Sequence, residues 1–402
     1  MLGNSAKMTS QNSERRLRIA YLTMFDPNDR RSWSGTDYYM AQALERHCGE
    51  VFCVGPLQPF TLKVGKVIQW GVRFLTGRRY LHMQTRSLSR RMGQMAQKKM
   101  SKHTYDLAFA PAGSVVLAHL SMPMPIVYLS DTTLRLMIDY YPGFSNVLSS
   151  HIRMADELER RAIERAGQLI YPSSWAARSA IQDYGADPSK VSVIPFGANL
   201  DSAPPREMAL RPLKKDRCRL LCIGVNWYRK GCDIALETLL ELERLGVAAE
   251  LTVVGCRPPH PVSHPHFHVF PFLDKNNPRE REQLDRLYSE SSFFILPTRA
   301  ECFGIVACEA NAYGLPILST KTGGIPEVVR EGINGFLWPV EARGDQYAAR
   351  IRDIYQGSAL YSALRVSSRN EFESRLNWDV WGKRAGEVLL RAAGLGATGQ
   401  VA

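Results

Sequence analysis

Short apolar runs alternate along the chain with longer segments in which apolar positions recur at spacings of three and four residues. The runs predict buried strands, and the periodic segments predict helices. Strands are predicted at 17–22, 51–54, 107–110, 125–129 and 168–171, and again at 219–223, 250–254, 293–296 and 316–319. Helices are predicted at 38–47, 155–166, 233–245, 306–313 and 378–393. This alternation favours parallel sheets that are covered by helices on both faces.

The alternation stops at the proline-rich stretch from Pro195 to Pro205 and restarts after Arg217. We therefore predict an α/β protein of two Rossmann-like, doubly wound parallel-sheet domains that face each other across a cleft. The domains are predicted at 17–200 and 201–375, with a flexible tail at 1–16 and a terminal helix within 376–402 that can cross back to the first domain. Ligands of such sheets lie beyond the carboxyl ends of the strands.

The composition is that of an ordinary globular protein, with 45% apolar and 22% charged residues among 402, so a disordered or fibrous chain is excluded. No run of about 18 apolar residues is present, and residues 1–18 lack the apolar core of a secretory signal. The eight cysteines occur singly, without the spacing of a zinc site. We expect reduced, mostly buried thiols in a cytoplasmic protein.

The formal net charge of +12 is concentrated in one tract. Eleven lysines and arginines lie between Lys63 and Lys102, whereas no acidic residue occurs from Val51 to Tyr105. Apolar residues recur at helical spacing through this tract, so we predict two basic amphipathic helices within 62–102. Such a concentration of charge favours an anionic partner.

Three interpretations of the basic tract stay open. With Trp70, Phe74 and Tyr80 at their apolar edge, the helices suit the interface of an anionic membrane. In the second interpretation the apolar stripes pack on the domain and the basic faces are solvated. Nucleic acid is the least favoured partner, because no recognised nucleic-acid module accompanies the tract.

The stretch from Pro297 to Pro316 predicts a strand, a loop, a helix and a strand. Glu301 lies in the loop, and Gly304 lets a ligand approach the backbone. The helix that begins near Ile305 presents unpaired N–H groups and the positive end of its dipole, which suit a phosphate. Glu309 lies one turn into this helix, where a carboxylate can accept two hydroxyl donors of a ribose. The structural alternatives are a helix cap for Glu301 and a solvated helix face for Glu309.

The segment from Glu301 to Glu309 resembles the E-x7-E motif of the retaining glycosyltransferases of family 4, which have the GT-B fold. Gly323–Phe336 is similar to the segment that follows the motif in that family, and the resemblance extends over most of the chain. It implies a nucleotide-diphosphate sugar as donor, such as a UDP- or GDP-sugar. It also implies that no metal and no further cofactor are needed, and that the sugar is transferred with retention at its anomeric carbon.

The resemblance also implies roles for residues of the second domain. Glu301 would contact hydroxyls of the donor sugar, and Glu309 would bind the ribose. The diphosphate would be held by the loop and the first helix amides, at Phe303, Gly304, Ile305 and Val306.

A second phosphate loop of the family resembles Gly224–Gly231 in this chain. Lys230 matches the family lysine, whose cation would neutralise the leaving diphosphate. Val225 stands where the family has an arginine, and we predict that Arg229 supplies that charge. The structural alternative is a pair of surface cations at a helix start, where positive charge is unfavourable.

In the first domain, Ser34–Gly35–Thr36 occupies the place of the family's glycine pair, so a backbone amide at Gly35 would face the donor phosphates. Asp131 follows a strand that in the family ends in a functional histidine, and Ser130 takes the place of that histidine. We predict that Asp131 binds the acceptor or the sugar, and its alternative role is a loop cap.

The predicted activity is sugar transfer by front-face attack, with Glu301, Lys230, Arg229 and Asp131 as the catalytic group. The sequence shows no paired carboxylates of the glycosidase kind. The acceptor is predicted to be a lipid-linked or envelope glycan at the inner face of an anionic membrane, which the tract 62–102 would contact. The alternatives are a GT-B-fold sugar-nucleotide epimerase and a non-catalytic, membrane-associated member of the fold.

Overall fold

Two parallel sheets organise residues 16–59, 61–214 and 216–395, which are the residues that this computed structural model describes. The predicted tail at 1–16 lies outside them, apart from Arg16. The strands of the first sheet are β1 (Leu17–Tyr21), β2 (Gly49–Cys53), β3 (Leu107–Pro111), β4 (Ile126–Leu129), β5 (Gln168–Tyr171) and β6 (Val191–Val193). They are parallel and lie in the order β2-β1-β3-β4-β5-β6.

The second sheet is also parallel, in the order β12-β11-β10-β7-β8-β9. Its strands are β7 (Cys218–Ile223), β8 (Ala249–Val254), β9 (Phe267–Phe270), β10 (Phe293–Leu296), β11 (Ile317–Thr320) and β12 (Gly335–Trp338). Together the two sheets confirm the predicted fold class of two doubly wound α/β domains.

Helices cover both sheets. Those between the strands of the first sheet are α1 (Thr36–His47), α2 (Thr61–Thr76), α3 (Arg86–Met100), α4 (Ser114–Leu117), α5 (Leu134–Met137), α6 (Ser149–Arg165) and α7 (Ser174–Gln182). The later ones are α8 (Arg206–Ala209), α9 (Cys232–Arg244), α10 (Pro278–Glu290), α11 (Ile305–Ala312), α12 (Ile325–Val328), α13 (Gly344–Gln356), α14 (Ser358–Ser374) and α15 (Trp378–Ala392).

All nine predicted strands are present, with ends that differ from the prediction by two residues or fewer. The strands that the sequence did not predict, β6, β9 and β12, all lie at sheet edges. An edge strand is only partly covered, and the residues of β6 and β9 are half-buried or exposed. Their apolar signal is correspondingly weak, because burial on both faces is what produces a continuous apolar run.

The helix α15 belongs to the core of the first domain, although it follows the second domain in the chain. Trp381 is fully buried, and its ring meets that of Phe109 edge to face at 6.3 Å. Asp379, in the first turn of α15, accepts a hydrogen bond of 2.8 Å from Nε2 of His47 at the end of α1. The chain therefore passes from the first domain to the second and returns.

The two helices of the basic tract form as predicted, but their apolar stripes have different surroundings. The stripe of α3 is buried in the core of the first domain, through Leu88, Met92, Ala96 and Met100. The expectation that both helices present an apolar edge to a membrane is therefore wrong for α3, because the hydrophobic core covers this stripe. Tyr80 lies outside both helices, where its ring is tilted by 52° against that of His151, with 3.9 Å between the ring centroids.

The apolar stripe of α2 points away from the domain. Val67, Trp70, Phe74 and Leu75 are 70% to 81% exposed, and the rings of Trp70 and Phe74 stack at 5.9 Å. Gly65 is buried on the opposite side of the helix, against His82. Within the described residues, no helix has the length and hydropathy that crossing a bilayer requires.

The sheet orders determine where a ligand can bind. The strand order reverses between β1 and β3 in the first sheet and between β7 and β10 in the second. The loops that leave such adjacent strands splay apart and leave a crevice at the carboxyl ends. The loops after β1, β7 and β10 therefore converge on the space between the two domains.

Candidate active site

A cavity of about 500 Å³ lies in the cleft between the domains. Its lining includes nine of the ten predicted site residues: Asp131, Arg229, Lys230, Glu301, Phe303, Gly304, Ile305, Val306 and Glu309. Gly35 is not part of the lining, although its neighbours Ser34 and Thr36 are. The fold thus brings together residues that are more than 270 positions apart in the chain, from Trp33 to Glu309.

The loop after β10 leads into α11 through Gly304. This residue has a φ of 99°, in the left-handed region, and a Cβ there would lie 2.7 Å from Cδ1 of Ile325. Within the part of the chain that the structure describes, no side chain caps α11. The first amides of the helix, at Ile305 and Val306, therefore face the cavity without a side-chain acceptor. Together with the helix dipole they form a seat for a phosphate group.

Glu301, Lys230 and Arg229 form one group of charges in the cavity wall. Lys230 Nζ makes an ion pair with Oε2 of Glu301, and an Nη atom of Arg229 lies 3.7 Å from the same oxygen. The three side chains are only 10% to 14% exposed, so Arg229 and Lys230 are not a pair of surface cations. With all three groups ionised, the net charge is +1, which suits an anionic ligand beside the α11 N-terminus.

Glu309 is fully buried, which excludes the alternative of a solvated helix face. One carboxylate oxygen lies 2.6 Å from Nζ of Lys275, and the other accepts a hydrogen bond of 2.8 Å from the hydroxyl of Tyr288. Both oxygens are thus held in place at the wall of the cavity. A ribose bound here would place its hydroxyls against a carboxylate whose orientation is already determined.

Sequence reasoning missed Lys275 and Tyr288. Lys275 follows the edge strand β9, which carried a weak signal, and Tyr288 lies in α10, which was not predicted. The sequence did contain a signal for α10: residues 279–286 are mostly acidic and basic residues that favour an exposed helix. The contact of Lys275 with Glu309 joins residues 34 positions apart and has no local signature.

In the first domain, the loop after β1 places the indole of Trp33 next to Asp131. Trp33 and Ser34 both have positive φ, 45° and 57°, and Gly35 follows at 91°. Non-glycine residues rarely adopt this conformation, and such strain clusters at functional sites. The indole N–H of Trp33 donates a hydrogen bond of 3.2 Å to Oδ2 of Asp131. Asp131 is thus held by a neighbouring side chain inside the cavity, rather than acting only as a loop cap.

Burial raises the pKa of Asp131 to about 6. The hydrogen bond from Trp33 opposes this change, and the nearby charge of Glu301 adds to it. The carboxyl group therefore changes its charge close to neutral pH. A group of this kind can respond to the arrival of a sugar hydroxyl or of an anionic ligand.

We expect the free energy of unfolding of the wild-type protein to fall relative to that of Asp131→Asn as the pH rises. Because the pKa in the folded state exceeds the ordinary aspartate value of 3.8, protonated Asp131 stabilises the fold; this contribution is complete below pH 3.8 and lost above about pH 6. Urea unfolding at several pH values should show a relative loss of about 1 to 3 kcal/mol between about pH 4 and pH 7. The comparison with Asp131→Asn is needed because burial also raises the pKa values of Asp37 and Glu159. A constant difference across this range would contradict the prediction.

Comparison with known families shows two matches along the chain. Residues 217–357 match the family profile described as Glycosyl transferases group 1, and residues 38–202 match the one described as Glycosyltransferase Family 4. Among curated relatives, a D-inositol 3-phosphate glycosyltransferase of Geodermatophilus obscurus is 31% identical over 222 residues, or 51% of this chain. This alignment covers 49% of the relative, so the chain spans about half the length of the curated relatives it matches.

Solved structures share the fold over nearly the whole chain. Sucrose-phosphate synthase from Thermosynechococcus elongatus covers 94% of this chain and 99% of its own, with a TM-score of 0.65 and 16% identity. Alr3699/HepE of Anabaena, solved in complex with UDP and glucose, covers 93% of this chain and 99% of its own, with a TM-score of 0.60 and 17% identity. At these identities the likeness concerns the fold, which is GT-B.

Proposed function

We propose that this chain, which belongs to the glycosyltransferases of family 4, transfers a sugar from a nucleotide-diphosphate sugar to a hydroxyl acceptor. The observation that carries this proposal is that one cavity is lined by Glu301, Lys230 and Arg229, by the first residues of α11 and by Glu309. These groups match the successive parts of such a donor. The ion group suits the sugar and the leaving phosphate, the helix amides suit the diphosphate, and Glu309 suits the ribose.

We propose front-face attack with retention as the reaction. The bond between the anomeric carbon and the diphosphate oxygen breaks, and the acceptor hydroxyl bonds to the same face of that carbon. The departing phosphate oxygen takes the acceptor proton. Lys230, Arg229 and the amides of α11 stabilise the negative charge on that oxygen, because fixed charges in a water-poor cleft act strongly. Glu301 orients the sugar, and Asp131 lies on the opposite wall to contact the sugar or the acceptor.

The donor is proposed to bind without a metal ion and without a further cofactor. Lys230 and Arg229 supply the positive charge that a divalent cation provides in many phosphate-transfer sites. Phe272 and Leu273 also line the cavity, where they can contact the base. We propose a UDP- or GDP-sugar, and the presence of UDP in the complex of Alr3699/HepE makes UDP-sugars the first to test.

A panel of UDP-, GDP-, ADP- and TDP-sugars tests the activity. Thermal shift identifies the nucleotide, because a ligand at about 100 times its dissociation constant stabilises the folded protein by about 2.7 kcal/mol. Hydrolysis and transfer are then measured with and without EDTA, and NMR of the product determines the anomeric configuration.

An inverted product would contradict retention, and loss of activity in EDTA would contradict metal independence. Epimerisation of the donor without acceptor, or no turnover at all, would favour the epimerase or the non-catalytic alternative.

The acceptor is proposed to be a lipid-linked or envelope glycan at the inner face of an anionic membrane, with the protein bound there from the cytoplasmic side. The curated relatives are named D-inositol 3-phosphate glycosyltransferases, so D-inositol 3-phosphate is the soluble acceptor to compare. Transfer to inositol phosphate alone would contradict the membrane acceptor while leaving the transferase activity intact.

Within the basic tract, we propose that α2 is the element that contacts the membrane. Its exposed stripe of Val67, Trp70, Phe74 and Leu75 is flanked by the exposed cations Lys66 and Arg73. An apolar face bordered by lysine and arginine is typical of helices that lie in the plane of a bilayer interface. Each cation near an anionic surface contributes about 1 kcal/mol. Two copies of α2 would repel each other through the same cations, which disfavours a dimer through this face.

We expect the double variant Trp70→Glu/Phe74→Glu to lose most of its binding to vesicles that contain anionic lipid. The two rings are 72% and 78% exposed and would otherwise insert into the interface, so charges there should lower the partition at least about tenfold. Co-sedimentation with phosphatidylglycerol-containing vesicles measures the change. Leu360→Glu/Val366→Glu on α14 is the matched control, because it alters two other exposed apolar residues. Equal sedimentation of both variants would contradict the assignment.

A further inference from the structure

Two tyrosines of the first domain reach across the cleft to the loop that carries Glu301. Tyr140 and Tyr141 lie in the segment after α5, and both side chains are partly buried. We refer to them as the cross-cleft tyrosine pair. Their hydroxyl groups contact the second domain, and each meets a backbone amide of the loop after β10.

The hydroxyl of Tyr140 contacts the backbone N–H and the backbone carbonyl of Glu301. Its hydroxyl oxygen accepts a hydrogen bond of 2.9 Å from the N–H of Glu301. The same hydroxyl lies 2.9 Å from Oγ1 of Thr322 and 3.3 Å from the carbonyl oxygen of Glu301, and it can donate to either. Tyr140 thus holds Glu301 on both sides of its Cα and ties this loop to the turn before α12.

Tyr141 extends the same contact to the neighbouring groups. Its hydroxyl accepts a hydrogen bond of 3.2 Å from the N–H of Cys302 and lies 3.4 Å from an Nη atom of Arg229. The guanidinium of Arg229 also lies over the Tyr141 ring, 4.8 Å from its centroid. One tyrosine therefore positions both a loop amide and a cation of the charge group in the cavity.

The turn after β11 completes the contact between the domains. Gly323 has a φ of 52°, and a Cβ there would come within 2.5 Å of the Tyr140 hydroxyl, so the tyrosine lies against the backbone. Farther along, a carboxylate oxygen of Glu327 accepts hydrogen bonds of 3.0 Å from the N–H and the hydroxyl of Ser174, at the start of α7. The first domain thus contacts both the loop after β10, which lines the cavity, and the turn after β11 that packs against this loop.

We infer that Tyr140 and Tyr141 are positioning residues, which set the Glu301 loop for the donor sugar only when the two domains are apposed as they are here. The inference rests on the proposed function, since it assigns Glu301 to the sugar. The groups assigned to the nucleotide differ in this respect: Glu309 and the amides of α11 belong to the second domain and do not contact the pair. When the two domains are apposed, the cross-cleft tyrosine pair therefore orders the loop that is assigned to the donor sugar. The groups that are assigned to the nucleotide do not depend on the pair.

Tyr140→Phe keeps the aromatic ring, which packs against Trp175 at 5.5 Å, and removes only the hydroxyl. We expect kcat to fall about 10- to 100-fold while the dissociation constant of the nucleoside diphosphate changes by less than about twofold, because a loose Glu301 loop misaligns the sugar. Tyr141→Phe is a second variant with the same expected direction. The matched control is Tyr355→Phe, which also removes a hydroxyl bonded to a backbone carbonyl, that of Arg217, away from the cleft.

Hydrogen–deuterium exchange gives a measurement that does not depend on activity. In Tyr140→Phe the amide of Glu301 loses its acceptor, so a peptide spanning 299–305 should exchange faster than in the wild type or in Tyr355→Phe. Unchanged exchange in this peptide would overturn the inference, even if no donor in the panel were turned over. Faster exchange with wild-type kcat would also overturn it, since the contact would then be structural only. Absence of transfer by the wild-type protein, with faster exchange in the variant, would count against the proposed function alone.

Discussion

Lys230→Ala is expected to lower kcat for sugar transfer by about 100- to 1,000-fold. The Lys230 ammonium group is the closer of the two cations to Glu301, and it lines the same cavity as the N-terminus of α11, where the leaving phosphate is proposed to bind. Removing it takes away charge that is needed most when the bond to the diphosphate breaks. The affinity for the nucleotide should fall much less, because α11 and Glu309 remain. Steady-state kinetics and isothermal titration with the nucleoside diphosphate separate the two effects.

In this variant Arg229, at 3.7 Å, is the cation that remains beside Glu301. The side chain of Glu301 is only 12% exposed, so the loss of Lys230 can also lower the stability of the fold. Thermal unfolding should accompany the kinetics, so that a loss of fold is not mistaken for a loss of chemistry. Lys190→Ala, at an exposed lysine outside the cavity, is the matched control. Wild-type kcat in Lys230→Ala would overturn the proposed role of this cation.

Glu309→Gln is expected to weaken binding of the nucleoside diphosphate about 10- to 100-fold, because hydrogen bonds to a charged group are worth about 1.5 to 3 kcal/mol. A neutral amide would accept the ribose hydroxyls less strongly than the carboxylate does. Lys275 would also lose its partner at 2.6 Å. Breaking a buried pair leaves an unpaired charge, so we expect the free energy of unfolding to fall by about 2 to 4 kcal/mol.

A double variant distinguishes these two effects. Glu309→Gln/Lys275→Met removes both charges, and it should recover much of the lost stability, because replacing both members of a buried pair is far less costly than removing one. Its affinity for the nucleotide should stay low, since the carboxylate is still missing. Recovery of nucleotide binding together with stability would show that Glu309 acts through the fold and not on the ribose.

The parts of this molecule that the sequence predicted well are those set by local patterns. Buried central strands such as β10 form apolar runs, and the loop between Glu301 and Glu309 joins a strand to a helix within a few residues. The contacts across the cleft have no such pattern. Tyr140 meets Glu301 across 161 positions, and this contact depends on how the two domains are placed. Trp33 meets Asp131 across 98 positions within the first domain, where the contact depends on how the loops after β1 and β4 are placed.

The basic tract shows a different limit of sequence patterns. The helices α2 and α3 both have an apolar stripe, and the periodicity alone assigns them the same surroundings. In the fold, α3 covers the first sheet, whereas α2 contacts the domain through a narrow side that includes Gly65. Whether an apolar stripe is buried depends on which helix packs against the sheet. The packing of the whole domain determines this, and the local sequence pattern does not.

The return of α15 to the first domain has a consequence for synthesis on the ribosome. Trp381 fills the core beside Phe109, yet residues 201–375 are translated between the rest of the first domain and this helix. Domains usually fold one after another as they emerge during translation. Here the first domain emerges from the ribosome without the helix that completes its core. It can finish folding only after the second domain and α15 have been translated. The nascent chain therefore exposes apolar surface of the first domain during that interval, when chaperones can bind it.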